Sequence, residues 1–117
     1  MRMWMVVPSV LCRKHLLGEH LECHMILSLL RSNKSILGYI KSNCIEPRSV
    51  KERHDNLAVE MELRGYNHNS ELILNCGELE RFINVIIDKR LSENLLFSRC
   101  EKCRQNKVER DKKWNQE

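Results

Sequence analysis

The residues with the clearest chemical potential lie in one stretch near the start of the chain, between positions 13 and 24. This stretch holds three histidines and two carboxylates: His15, Glu19, His20, Glu22 and His24. Residues three and four apart share a helical face, so a helix here would place His15, Glu19 and Glu22 along one line. A partly desolvated glutamate can serve as a general acid or as an electrostatic stabiliser. The stripe is therefore a catalytic face, a metal site or a solvated polar face.

A metal site is the weakest of these three interpretations. His20 with His24, and His15 with Glu19, have the four-residue spacing of helical metal ligands. However, the stretch contains no His-Glu-x-x-His motif and offers no defined third ligand. We therefore predict neither a metal ion nor a cofactor in this stretch.

A second set of possible metal ligands lies near the end of the chain. Cys100-Glu-Lys-Cys103 is a Cys-x-x-Cys pair in a basic segment. Structural zinc usually takes four ligands, and Cys76 and His68 are the candidates to complete the set. The alternative interpretation is two reduced cysteines in a helical tail, and we predict neither a metal ion nor a cofactor for the chain.

Arg53-His54-Asp55 contains residue types that also occur in catalytic triads. On a helix, three consecutive side chains point in different directions, so they cannot converge on one reacting atom. We therefore interpret this run as surface ion pairing.

The composition is that of a soluble globular protein, and 117 residues predict one domain. The net charge of +4 permits nucleic acid binding, and both ends of the chain are locally basic. Residues 1–14 contain Arg2, Arg13 and Lys14 but no acid, and in residues 99–113 the lysines and arginines outnumber the acids. No apolar run is long enough to span a membrane, and Met3 to Leu11 does not resemble a signal peptide. We expect a cytoplasmic protein whose cysteines are thiols or metal ligands.

Helical periodicity organises most of the chain. It predicts a first helix from about Arg13 to Leu30, with Ser9 as a possible cap, and a short helix after Ser35. It also predicts a second long helix that a Ser49/Glu52 capping box opens and Gly65 closes. Apolar residues at three-and-four spacing predict a third helix over residues 77–97. The predicted fold is all-α: a single compact domain of three principal helices plus short helices and a basic C-terminal tail. Residues 1–98 form the helical domain, and residues 99–117 form the Cys-x-x-Cys tail, which could be flexible.

The run from His15 to Glu22, His-Leu-Leu-Gly-Glu-His-Leu-Glu, resembles the first helix of the pyrimidine-dimer DNA glycosylases of the phage endonuclease V type. In that family a His-Leu-x-x-Glu-aromatic-x-Glu run ends on the essential glutamate, a position that Glu22 occupies here. Arg2 resembles the arginine that follows the family's terminal nucleophile. Residues 56–67, which end in Arg-Gly-Tyr-Asn, are similar to the family's second long helix. The resemblance covers about the first seventy-five residues.

The resemblance implies a DNA repair glycosylase with abasic-site lyase activity, acting as a monomer on pyrimidine dimers in double-stranded DNA. The α-amine of Met1, which we expect to be retained, would be the nucleophile and Glu22 the catalytic carboxylate. His15 and Glu19 would support the site, and Arg2, Arg13 and Lys14 would contact DNA phosphates. An α-amine titrates at about 7.7–8.0, well below lysine, so a usable fraction is neutral near pH 7.

This sequence departs from the family pattern at three points. Leu21 and Met25 replace arginines that flank the glutamate in the characterised phage enzyme, and a methionine replaces its terminal threonine. The family's aromatic and basic C-terminal segment has no clear counterpart before residues 99–114. Two other classes remain as alternatives: a non-enzymatic nucleic-acid-binding module with a zinc-binding or basic tail, and a helical interaction protein whose polar stripe is only a surface.

Overall fold

A computed structural model of the chain describes residues 1–74 and 79–115. These residues form an all-α fold without a strand, as predicted. Five α-helices occur in chain order: α1 Arg13–Arg31, α2 Leu37–Lys41, α3 Val50–Leu63, α4 Lys89–Arg99 and α5 Glu101–Asn115. Short 3₁₀ turns precede α1, α3 and α4, at Pro8–Val10, Pro47–Ser49 and Glu80–Phe82. No helix in the described residues is long and apolar enough to cross a membrane.

Helix α1 confirms the first predicted helix. Its buried apolar residues recur at helical spacing and face the core: Leu16, Cys23, Ile26, Leu27 and Leu30. The N-cap residue of α1 is Cys12, and its side chain makes no capping hydrogen bond. Ser9, the cap predicted from the sequence, lies within the preceding 3₁₀ turn. The main partner of α1 is α3, which buries Leu57 and Met61. The α1–α3 pair is therefore the centre of the domain.

The start of α3 lacks the predicted capping box. The Ser49 hydroxyl donates to the carboxylate of Glu46 and makes no hydrogen bond that caps the helix. Glu46 is buried, and its other carboxylate oxygen accepts from the Ile87 amide at 2.9 Å. The other end of α3 follows the sequence prediction, since Gly65 closes it with a φ of +82°.

The third helix, which the sequence predicted over residues 77–97, begins about twelve residues later in the structure. Residues 83–88 are not helical, and α4 starts at Lys89. Hydrogen bonds across the molecule explain the late start: the Asn43 side chain accepts from the Asp88 amide at 2.7 Å and donates to its carbonyl at 3.0 Å. The Asp88 carboxylate then caps α4 by accepting from the Leu91 amide. Tertiary contacts have overridden the apolar periodicity.

The N-terminal segment crosses the molecule in an extended form and is tied to it at several points. Met3 is fully buried and Trp4 nearly so. The Met3 amide donates to the Cys44 carbonyl at 2.7 Å, and the Ser92 hydroxyl donates to the Trp4 carbonyl at 2.6 Å. These bonds to the loop before α3 and to α4 hold the start of the chain in a fixed position.

Candidate active site

The start of the chain meets α1 at Glu22. The half-buried Glu22 carboxylate accepts a hydrogen bond from the Arg2 backbone amide and interacts electrostatically with the N-terminal ammonium and the Arg2 side chain. The fixed path of Met3 and Trp4 determines where the amine lies, and the buried face of α1 determines where Glu22 lies. The fold thus brings together an α-amine and a carboxylate that are twenty-one positions apart in the sequence.

The surroundings of Glu22 favour proton exchange. Burial is the largest influence and raises the pKa of this carboxyl above 4.5, and the nearby Glu19 carboxylate acts in the same direction. The Arg2 amide, the N-terminal ammonium and the Arg2 guanidinium oppose that rise. A carboxylate held between these influences can stabilise a neighbouring positive charge and also accept a proton.

An open cavity of about 570 Å³ lies at the N-terminus. Met1 and Arg2 line one part of it, and α2 with its flanking residues, Cys44 and Arg99 line the rest. This volume falls within the usual range for small-ligand pockets. Arg2 lies over the Trp4 ring, with its guanidinium carbon 5.1 Å from the ring centroid. Arg99, at the end of α4, adds a cation that the sequence prediction did not assign to this site.

Glu19 faces a different neighbour from Glu22. Its side chain is buried and accepts two hydrogen bonds from Arg53, at 2.5 and 2.8 Å. Arg53 also donates to the Val6 carbonyl at 2.6 Å. This ion pair links α1, α3 and the N-terminal segment. The interpretation of Arg53-His54-Asp55 as surface ion pairing is therefore wrong for Arg53 and His54, both of which are buried.

His15 lies in a third environment. Its Nδ1 atom is 3.1 Å from the Cys12 Sγ atom, and its ring packs edge-on against Trp4 with centroids 5.7 Å apart. Seven residues separate His15 from Glu22, a distance of about 10 Å along a helix. The structure therefore separates the three members of the predicted stripe into three neighbourhoods.

The remaining histidines cluster with one another. The His20 ring packs against those of His24, His54 and His68, and the His54 ring of α3 also packs against those of His24 and His68, with ring centroids 4.5 to 5.3 Å apart. The Nε2 atoms of His20 and His68 are 2.8 Å apart. His68, one candidate to complete a zinc site with Cys100 and Cys103, thus lies with other histidines. Cys76, the other candidate, lies outside the described residues.

A second cavity, of about 670 Å³, lies where α1 begins. Its lining is rich in cations: Arg13, Arg64, Lys102, Arg110 and Lys113. The Arg13 guanidinium carbon is 4.8 Å from the centroid of the Tyr66 ring, and Lys14 is exposed beside it. Arg13 and Lys14 precede Glu22 by nine and eight residues, or about 12–14 Å along the helix. Two of the predicted DNA contacts therefore lie on α1 at a distance from the amine, whereas Arg2 lies beside it.

The comparison with protein families matches the N-terminal part of this structure. A family model described as pyrimidine dimer DNA glycosylase matches residues 1–74. The match contains Met1, Glu22 and all of α1 to α3, whereas α4 and α5 lie beyond it. No curated protein and no solved structure matches the chain.

Proposed function

The chain belongs to the pyrimidine dimer DNA glycosylase family, and we propose that it excises such dimers from double-stranded DNA by means of the Met1 α-amine and then cleaves the abasic strand as a lyase. The observation that carries this proposal is the electrostatic interaction between the N-terminal ammonium and the Glu22 carboxylate, which also accepts a hydrogen bond from the Arg2 amide. An α-amine is a usable nucleophile near neutral pH, and the carboxylate can stabilise the cation that forms when it reacts.

The first step is displacement of the damaged base. The neutral Met1 amine donates its electron pair to the sugar C1′ atom, and the glycosidic bond breaks with its electron pair on the leaving base. The base takes up a proton, the new amine loses one, and opening of the sugar ring leaves a protonated imine between Met1 and C1′. Glu22 would stabilise the positive charge and carry the proton that opens the ring.

The second step is strand cleavage. The imine makes the C2′ hydrogens acidic, so a base can remove one as a proton. The electron pair forms a C2′–C3′ double bond, and the 3′ phosphate leaves with the electrons of its C–O bond. Water then hydrolyses the imine and restores the amine. Glu22 would accept the C2′ proton.

The cations on α1 and at the cavity would hold the DNA as the lesion is reached. Access to C1′ requires a distorted or extruded nucleotide, and the energetic cost is least at a base that is already damaged. Arg2 and Arg99 would bind phosphates beside the amine, while Arg13 and Lys14 would bind them further along the duplex. We propose that one copy of the chain is sufficient for this contact.

Borohydride trapping tests the proposal directly. The protein is incubated with duplexes that carry a cyclobutane dimer, an abasic site or no damage, and borohydride reduces any imine to a stable amine. We expect a covalent adduct with the two damaged duplexes, and peptide mapping should place the DNA on Met1. Glu22→Gln should lower the rate of adduct formation by about 10²–10⁴-fold.

Two controls make the test specific. Glu62→Gln removes an exposed carboxylate from α3 and should leave the rate unchanged. A Gly-Ser extension before Met1 moves the amine away from Glu22 and should abolish the adduct. An adduct on a lysine, a full rate in Glu22→Gln, or no adduct with either damaged duplex would overturn the proposal.

A further inference from the structure

Three cysteines and one histidine that are far apart in the sequence converge at one point of the structure. They are Cys12, His15, Cys100 and Cys103, and their ligand atoms all lie within 4.8 Å of one another. Cys12 and Cys103 are buried, and His15 and Cys100 are half-buried. The steps proposed above for base excision and strand cleavage assign no part to these side chains, although the family resemblance implied a supporting role for His15.

The two halves of this cluster have the same local design. Cys12 directly precedes α1 and its carbonyl accepts from the Leu16 amide, while His15 follows in the first turn. Cys100 directly precedes α5 and its carbonyl accepts from the Arg104 amide, while Cys103 follows in the first turn. Each half is thus a ligand pair with two intervening residues at a helix N-terminus.

The distances within the cluster are those of a tetrahedral metal site. The Cys12 Sγ atom is 3.1 Å from His15 Nδ1 and 3.9 Å from Cys100 Sγ, and the Cys103 Sγ atom is 3.7 Å from His15 Nδ1. With Zn–S bonds of about 2.3 Å and Zn–N bonds of about 2.0–2.1 Å, neighbouring ligand atoms are about 3.5–3.8 Å apart. The three separations are within about 0.5 Å of these values, so small side-chain adjustments would bring the four atoms to a common ion.

Backbone amides donate hydrogen bonds to two of the sulfur atoms. The Cys12 amide donates to the Cys103 sulfur at 3.2 Å, and the Cys103 amide donates to the Cys100 sulfur at 3.4 Å. Three thiolates, a neutral imidazole and Zn²⁺ together carry one negative charge. The positive N-terminal ends of α1 and α5 point toward that charge, and Arg13, Lys14 and Lys102 lie next to the ligands in the chain.

We propose that Cys12, His15, Cys100 and Cys103 bind one zinc ion that fastens α5 to the start of α1. Three sulfur ligands and one nitrogen ligand match the preference of zinc, and a complete set of four protein ligands is typical of a structural site. The proposal is independent of the glycosylase activity. It also replaces the sequence-based ligand set, in which Cys76 and His68 completed the site.

Helix α5 explains why such an ion would matter. Among its described side chains, Cys103 alone is buried. The Asn106 side chain adds one hydrogen bond to the Val10 carbonyl, at 3.1 Å. A highly charged helix with so little apolar contact gains little from the hydrophobic effect. A zinc ion shared between α1 and the α4–α5 junction would supply the attachment that the core does not.

Metal analysis of the full-length protein, purified under reducing conditions, tests this inference. We expect one zinc per chain, and replacement by Co²⁺ should give the visible ligand-field bands of a tetrahedral site and a thiolate-to-cobalt charge-transfer band. Cys103→Ser should lose the zinc. Cys44→Ser, which removes a buried thiol outside the cluster, should retain one zinc per chain.

A second variant keeps the inference testable if Cys103→Ser does not fold. His15→Cys provides a fourth sulfur at a position equivalent to that of Cys103 in the other pair. It should retain one zinc, and the charge-transfer intensity of its cobalt form should rise by about a third. A folded wild-type protein that binds neither zinc nor cobalt would overturn the inference, as would full zinc content in Cys103→Ser or an unchanged cobalt spectrum in His15→Cys.

Discussion

At the level of single residues, Glu19 and Glu22 show how one helical turn can separate two roles. Both belong to the same stripe of α1, yet Glu19 is enclosed by Arg53 whereas Glu22 interacts with the start of the chain. Helical spacing correctly places both carboxylates on one side of the helix, but it does not tell which of them is buried. The two roles differ because Arg53, thirty-four residues away, pairs with Glu19, whereas the start of the chain lies at Glu22.

The buried Glu19–Arg53 pair predicts a large stability effect. Glu19→Ala leaves the Arg53 guanidinium buried without its carboxylate, and breaking a buried pair in this way costs about 3–5 kcal/mol. We expect the free energy of unfolding, measured by urea denaturation, to fall by that amount. Glu22→Gln, one turn further along, should change it by less than about 1 kcal/mol, because glutamine can still accept the Arg2 amide hydrogen bond and solvent screens the charge interactions of a half-buried carboxylate.

The same pair of variants separates stability from activity. Glu22→Gln should lose imine trapping while it keeps its stability, whereas Glu19→Ala should lose stability. Equal stability of Glu19→Ala and the wild-type protein would show that the Arg53 contact does not support the fold.

At the level of elements, the sequence predicts helices well where their own apolar periodicity sets their ends. The limits of α1 and the glycine that closes α3 follow from the local sequence. The start of α4 could not be predicted, because Asn43 holds the backbone of Asp88 from forty-five residues away. The cysteine cluster could not be predicted for a similar reason. Cys12 belongs to no Cys-x-x-Cys pair in the sequence, and only the fold brings it beside Cys103.

The exposed face of α1 beside Glu22 leads to a prediction about the affinity of the protein for DNA. Leu21 and Met25 are 60% and 46% exposed and lie beside Glu22, at the positions that we compared above with arginines of the characterised phage enzyme. In a Glu22→Gln background, which keeps the substrate intact, Leu21→Arg combined with Met25→Arg should add two phosphate contacts. We expect tighter binding to a dimer-containing duplex and a salt slope steeper by up to about 1.8, measured by fluorescence anisotropy.

Helix α3 offers a matched control for that change. Val59 and Leu63 are exposed and also four residues apart, so Val59→Arg with Leu63→Arg adds the same charge at the same spacing. This control should change the salt slope less than the α1 variant. Equal slopes in the two variants would show that net charge, and not the face of α1, determines the gain in binding.

At the level of the whole molecule, polar side chains connect elements in addition to the contacts of the apolar core. Glu46 joins the loop before α3 to the Ile87 amide, and Arg64 at the end of α3 donates to the Leu11 carbonyl at 2.8 Å. The histidine cluster joins α1, α3 and the segment after α3. Because these links need particular protonation states, the stability of the fold should depend on pH.

The histidine cluster predicts the direction of that dependence. The pKa of His20 is lowered to about 4, mainly by burial and in addition by the neighbouring His54, His68 and His24. Asp55 is the nearest acid that contacts the cluster, through the Nδ1 atom of His54 at 2.9 Å. In the unfolded chain a histidine titrates at about 6.5. As the pH falls from 6.5 toward 4, the unfolded chain therefore binds a proton that the native His20 excludes, and the free energy of unfolding decreases.

The loss should reach at most about 1.4 kcal/mol per pH unit for this residue, and it should be complete once the pH is below the native pKa. Urea denaturation at several pH values measures it, and the difference between the wild-type protein and His20→Gln cancels proton uptake at other groups. The variant should show the flatter dependence between pH 6.5 and 4. NMR titration of the His20 ring gives an independent measurement, and a midpoint near 6.5 would contradict the prediction.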